Sequence, residues 1–239
     1  MTAPLQQWKV LPHSKPIRIG DNMLTVTGDI QMPLMELPRR MTVVRLSGAR
    51  LVVYSAIALD EDEMAALEVW GRPTFLVVPS AKHRLDAKIW KDRYPAMQVV
   101  APRGARTQIQ ALVAVDTVAP DFEDPDVDFM AVPGTRGREA ALMVRAVDGC
   151  TLILNDLVGN IRDATGFGGW LLHLAGFAGD EPHIPSVVKL SVVNDTQALQ
   201  LQLVEWAAVD SLTRIVVSHG AIIEDNPRQV LRALAASLA

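Results

Sequence analysis

Ile215-Val216-Val217-Ser218-His219-Gly220 is a short apolar, β-branched run that ends on a polar Ser-His-Gly step. Such a run reads as a buried strand, and the step after it reads as a strand end delivering an imidazole to a loop. Leu152-Ile153-Leu154-Asn155-Asp156 repeats the design with a carboxylate, after the turn at Asp148-Gly149. Phe75-Leu76-Val77-Val78 repeats it again, running into Pro79-Ser80-Ala81-Lys82-His83-Arg84-Leu85-Asp86. Three apolar runs thus read as buried strands, each leading into a polar stretch that contains His or Asp.

Outward from these runs the pattern alternates. Strands are predicted over 41–46 and 50–55, joined through Ser47-Gly48-Ala49 as a hairpin, and an amphipathic helix follows with Asp60 and Glu63 at capping-box spacing. After the strand at 74–78 come a helix over 86–93, a strand over 97–101 and a turn at Pro102-Arg103-Gly104. Strands over 127–132, 140–147 and 151–154 then succeed one another as an antiparallel group. Asn194 is placed to cap a long helix reaching Val209, a strand covers 214–217, and Asn226-Pro227 opens a last helix. Residues 1–40 read as an N-terminal β extension with turn signals at Pro12, Gly20-Asp21-Asn22, Gly28 and Pro33. The main domain is expected over 41–239, with an insertion over 159–189 holding one short helix.

Composition narrows the function classes. The 239 residues are 49% hydrophobic and 21% charged, enough to build one large core. With 23 basic residues against 27 acidic, a net charge of −4 and no Lys/Arg-rich block, nucleic acid is not an expected partner. The single cysteine, Cys150, cannot form an internal disulfide and reads as a buried thiol. The N-terminus has no basic head followed by an apolar stretch, and the most apolar segment, 166–179, is shorter than the ~20 residues a bilayer crossing needs. A cytoplasmic location with no membrane span is the expectation. No Gly-x-Gly-x-x-Gly, Walker loop or Gly-x-Ser-x-Gly elbow is present, which removes motif support for nucleotide binding and serine hydrolysis.

Helices interleaved with two β-rich halves suggest a four-layer α/β/β/α sandwich, and the order of strand-end motifs resembles that of the metallo-β-lactamase fold. The resemblance covers 41–239. It implies a first ligand motif, His-x-His-x-Asp-His, on which Ala81, His83, Leu85 and Asp86 fall in turn. The register can slip by a residue or two, which makes His83 the firmer match. A His after Pro-Gly is implied where Val132-Pro133-Gly134-Thr135 has Thr135; the bridging Asp falls on Asp156 and the final His on His219.

By this resemblance the metal ligands are His83, Asp86, Asp156 and His219, with Asp86 and Asp156 also serving catalysis. Two imidazoles and two carboxylates suffice for one divalent ion, zinc, iron or manganese, rather than two. The implied activity is a mononuclear metal-dependent hydrolase acting on a small molecule. The alternative reading is a metal-free, non-catalytic relic that binds a small molecule or protein.

Other readings attach to the surroundings. Lys82, Arg84 and Arg136 near the mouth read first as solvated surface charge, and as a cationic rim they would favour an anionic substrate. His173 or His183, with Asp180 and Glu181, could supply a replacement ligand from the insertion. Alternatively, Trp170, Leu171, Leu174 and Phe177 pack as a stripe over the sandwich while these histidines face solvent. The insertion is also a candidate surface for homo-oligomers. His13 is assigned no role.

Overall fold

The computed structural model describes all residues except 1–2, 32–35, 163–165, 175 and 239, so the turn expected at Pro33 lies outside the described residues. The chain runs β1 (Ile17–Gly20), β2 (Met23–Gln31), β3 (Glu36–Arg45), β4 (Arg50–Tyr54), α1 (Glu61–Trp70), β5 (Arg72–Val77), α2 (Ala87–Arg93), β6 (Gln98–Val100) and α3 (Arg106–Gln110). It continues with β7 (Val127–Ala131), β8 (Ala140–Ala146), β9 (Gly149–Asn160), α4 (Gly166–Leu174), α5 (Ser186–Ser191), α6 (Thr196–Ala207), β10 (Leu212–Gly220) and α7 (Pro227–Ala236).

Among the described residues these strands make two sheets, ordered β1-β2-β3-β4-β5-β6 and β10-β9-β8-β7. Antiparallel pairing links β1 to β4, whereas β4, β5 and β6 run parallel. In the second sheet β7, β8 and β9 are antiparallel and β10 lies parallel to β9.

Period-two alternation along the strands decides the layering. In β4, Leu51 and Val53 face a core shared with Met64 and Leu67 of α1, Trp90 of α2 and Ile109 of α3, while Val52 and Tyr54 face the opposite way. That opposite face is the seam between the sheets, where Val44, Val52 and Val77 meet Leu142, Ile153 and Val216. On the far side of the second sheet, Leu152, Leu154, Ile215 and Val217 pack on Leu199 and Trp206 of α6 and Leu231 and Leu234 of α7. Each such side chain contributes about 1.5–3 kcal/mol on burial, and three separate apolar layers produce the expected α/β/β/α sandwich.

Several local expectations shift. The strand expected from Met41 begins at Glu36, and β1, β2 and β3 are consecutive strands of the six-stranded sheet, so the boundary drawn after Arg40 falls inside β3. Asp60 occupies the N-cap of α1 without making a side-chain cap, and Asp195 rather than Asn194 caps α6 by accepting from the Ala198 amide at 2.9 Å. The 159–189 segment contains α4 and the start of α5 rather than one helix. Trp170 and Leu174 are 57% and 70% exposed, while Leu172 and Phe177 pack inward and the Leu171 side chain lies outside the described part. Cys150 is buried and free, and no described helix is long and apolar enough to cross a membrane.

Candidate metal centre

The C-terminal ends of parallel strands gather the polar side chains. His83 sits in the loop between β5 and α2, and His219 is the penultimate residue of β10. Asp156 lies within β9, where a register change frees it. Val217 pairs with Leu154 but His219 pairs with Gly159, so β9 bulges over 155–158 and turns Asp156 out of the regular ladder.

Asp156 Oδ1 meets His83 Nε2 at 2.8 Å and His219 Nε2 at 2.9 Å, and the two imidazole rings are 5.2 Å apart between centroids. One ligand atom from each of the three residues lies within 4.8 Å of the others. Asp156 Oδ2 is buried with no hydrogen-bond partner, an orphaned acceptor of the kind that a cation satisfies. Burial works to raise the Asp156 pKa. The charge of His83, hydrogen bonds from both imidazoles and the charge of His219 outweigh it and hold the carboxyl well below its ordinary range.

Each imidazole is aimed by a partner on its other nitrogen. His219 Nδ1 lies 2.5 Å from the Pro38 carbonyl, which can only accept, so Nδ1 carries a hydrogen; Nε2 donates to Asp156 in the protonated ring and offers its lone pair to an ion in the neutral one. His83 Nδ1 shares a 2.9 Å hydrogen bond with Ser55 Oγ, just past the end of β4. This is the outer support that metal-ligating histidines have, and the donor set of two Nε2 atoms and a carboxylate fits a divalent ion. Arg40 of β3 grips both sides of His219, donating through Nε to the Val217 carbonyl at 3.1 Å and through Nη2 to the Gly220 carbonyl at 2.7 Å. Burial lowers its pKa to about 10, which leaves it charged at neutral pH.

Behind the centre, Asn155 donates to Glu139 at 2.8 Å and accepts from Ser218 at 3.1 Å. Burial and then the charge of Asp156 push the Glu139 pKa well above the usual value, against smaller opposing effects of Asn155, Lys82 and the Asp156 amide.

Asp86 does not join the centre. Its carboxylate pairs with Arg39 Nη1 and accepts from the Ala58 amide at 3.0 Å, with the side chain 0% exposed. These contacts hold the carboxylate against Arg39 and Ala58, and the structure does not bring it into the group of ligand atoms formed by His83, Asp156 and His219, where both roles expected of it would place it. Thr135 is buried and donates to the Val132 carbonyl at 2.7 Å. The structure does not bring the histidines of the insertion into this group either: both His183 ring nitrogens face carbonyl oxygens, of Glu181 and Gly176, at 2.8 Å, and His173 is exposed on α4. His183 therefore does not face solvent freely.

The three residues form the polar floor of a cavity of about 430 Å³. Its walls are mostly apolar: Pro4, Ile30, Leu37 and Leu85, with Leu172 and Phe177 from the insertion. Phe177 lies edge-on to His219 with centroids 5.6 Å apart. Lys82 and Arg84 line the cavity as expected, though Arg84 donates to the Gln108 carbonyl; Arg136 is exposed and is not among the lining residues.

Sequence reasoning missed Ser55, Pro38 and Arg40. Pro38 acts through its carbonyl, which no residue type betrays, and Arg39-Arg40 carry no local sign that both side chains are buried.

No protein-family model matches the sequence, and no relative with a curated description matches it significantly. Solved structures do. The DIM-1 metallo-β-lactamase superposes with a TM-score of 0.63 at 10% identity, covering 97% of this chain and 100% of its own. The FIM-1 metallo-β-lactamase from Pseudomonas aeruginosa, in its mono-zinc form, gives 0.61 at 11% identity over 96% and 97%. A metallo-β-lactamase from Erythrobacter litoralis gives 0.63 at 11% identity over 93% and 96%. Coverage this broad takes in most of the first forty residues, which were expected to lie outside the resemblance. From β1 to α7, the chain has the metallo-β-lactamase fold.

Proposed function

We propose that this chain is a mononuclear metal-dependent hydrolase whose ion is held by His83 Nε2, His219 Nε2 and Asp156. The observation that carries the reading is the pairing of an orphaned Asp156 oxygen with a His219 ring whose Nδ1 hydrogen is taken by Pro38. A divalent ion there supplies Lewis acidity, making hydroxide available near neutral pH and polarising a carbonyl or phosphoryl oxygen.

The residues do the rest. Pro38, Ser55 and Arg40 hold the two imidazoles in place, so little rearrangement is needed on loading. Ala81, Leu85 and Thr135, standing where the resemblance implies further ligands, offer no metal-binding group, which limits the centre to one ion. Leu37, Leu172 and Phe177 exclude bulk water and fit a substrate with an apolar body, while Lys82 at the wall favours an anionic group on it.

Metal analysis of chain purified without chelator tests this, beside hydrolysis of a p-nitrophenyl ester and phosphodiester. His219→Ala is expected to lose one equivalent of bound ion and all turnover. Unchanged metal content in that variant, with thermal stabilisation by organic ligands alone, would favour a non-catalytic binding module instead.

A further inference from the structure

A second group of ligand-type side chains lies apart from this centre, where the N-terminal segment crosses α1. That segment packs on the helical layer: the Leu5 amide donates to the Leu85 carbonyl, Trp8 Nε1 donates to the Leu59 carbonyl, and the Trp8 ring lies 5.8 Å from that of Trp90. At its far end His13 forms an antiparallel bridge with Gly28 of β2, and its side chain is only 5% exposed.

The His13 ring has one satisfied side. Nδ1 lies 2.8 Å from the Ser14 carbonyl and must donate to it, so the neutral ring presents a lone pair at Nε2. Nε2 is buried without a hydrogen-bond partner and faces Glu63 Oε2, itself buried without one, at 3.6 Å. That separation is too long for a hydrogen bond and close to the ~3.4 Å between two ligands of a tetrahedral ion bound at about 2.0–2.2 Å. Asp60 completes the group, with one ligand atom from each residue within 4.8 Å of the others. Its carboxylate is available because it makes no cap to α1. Asp60 and Glu63 are three residues apart, which puts both carboxylates on the side of the helix start that meets His13.

We propose that His13, Asp60 and Glu63 bind a structural divalent cation, zinc or manganese by the borderline character of one imidazole and two carboxylates, which staples the N-terminal segment to α1. A dication neutralises the two carboxylates and gives the orphaned Nε2 its partner. Since Pro4 of the same segment lines the catalytic cavity, the staple also steadies that wall.

The test uses full-length His83→Asn/His219→Asn chain, stripped of metal and titrated with zinc by calorimetry, so that the outcome is independent of the hydrolase reading. One ion per chain is expected. Adding His13→Asn, Glu63→Gln or Asp60→Asn should each weaken binding at least ten-fold. Asp60 is exposed, so its variant keeps the test open if the buried ones fail to fold. Zinc should also slow proteolysis of the N-terminal segment in the parent and not in the Asp60 variant. Absence of zinc binding by the parent, or unchanged affinity in the folded triple-site variants, would overturn the proposal.

Discussion

Replacing Asp86 by Asn removes one charge from a buried pair and leaves the shape and the Oδ1 acceptor for the Ala58 amide in place. Its partner Arg39 is 5% exposed, and Arg39 Nε and Nη2 already lack hydrogen-bond partners. The guanidinium would then be an uncompensated charge in a dry environment, a change that costs about 3–5 kcal/mol. For a domain of this size each kcal/mol moves Tm by roughly 2–4 °C, so a fall of roughly 6–20 °C is expected. Scanning calorimetry in the presence of chelator reads this without a contribution from bound metal. The double variant Arg39→Met/Asp86→Asn removes both charges while keeping the Oδ1 acceptor for the Ala58 amide, and should recover most of that loss, because the intact pair gains little over uncharged packing. Metal content should be unaffected in the double variant. If Asp86→Asn melts within about 2 °C of the parent yet loses its ion, the carboxylate is a ligand and the reasoning from its contacts fails.

Other consequences concern the centre itself. Gly220 has φ +102° and a Cβ there would lie 2.0 Å from the Asn160 carbonyl oxygen, so Gly220→Ala should cost at least ~2 kcal/mol in urea unfolding and displace His219, lowering zinc affinity. Asp156 has a folded pKa below its unfolded one, so its contribution to stability is full above about pH 4 and is lost as pH falls through the folded value. Acid unfolding of Asp156→Asn should lack that limb. Glu139 has the opposite sign: its folded pKa is raised, so its contribution is full below about pH 4 and is lost as pH rises through the folded value. Glu139→Gln should flatten the alkaline side of the stability profile. Phe177→Ala widens the cavity without touching a ligand atom, and should raise KM for an apolar ester more than it lowers kcat, a split that steady-state kinetics resolves.

The layering was legible because it is local. Alternation in Leu51-Val52-Val53-Tyr54 and in Ile215-Val216-Val217 assigns side chains to two faces wherever those strands lie, and Asn226-Pro227 marks the start of α7 from its own chemistry. Asp156 and His219 were legible for the same reason, since each is the polar residue that follows an apolar run, although both stay buried and Asp156 lies within β9 rather than at its end. Asp86 shows where this stops. Its sequence neighbourhood matched a ligand motif, but its partner Arg39 lies 47 residues away on β3, and only the pairing of β3 beside β4 brings the two together.

The chain by itself therefore determined which segments are buried, which faces they bury and which polar groups their ends present, because burial and periodicity are properties of a short window. Tertiary structure alone decided which of those groups meet. The Pro38 carbonyl orients a His219 ring 181 residues distant, a bulge in β9 swings Asp156 between two imidazoles, and His13, silent as a residue, comes beside one carboxylate at the N-cap of α1 and one within it. Such encounters depend on how strands pair and sheets stack over the whole molecule, and no local pattern of residue types encodes the identity of a partner across that distance.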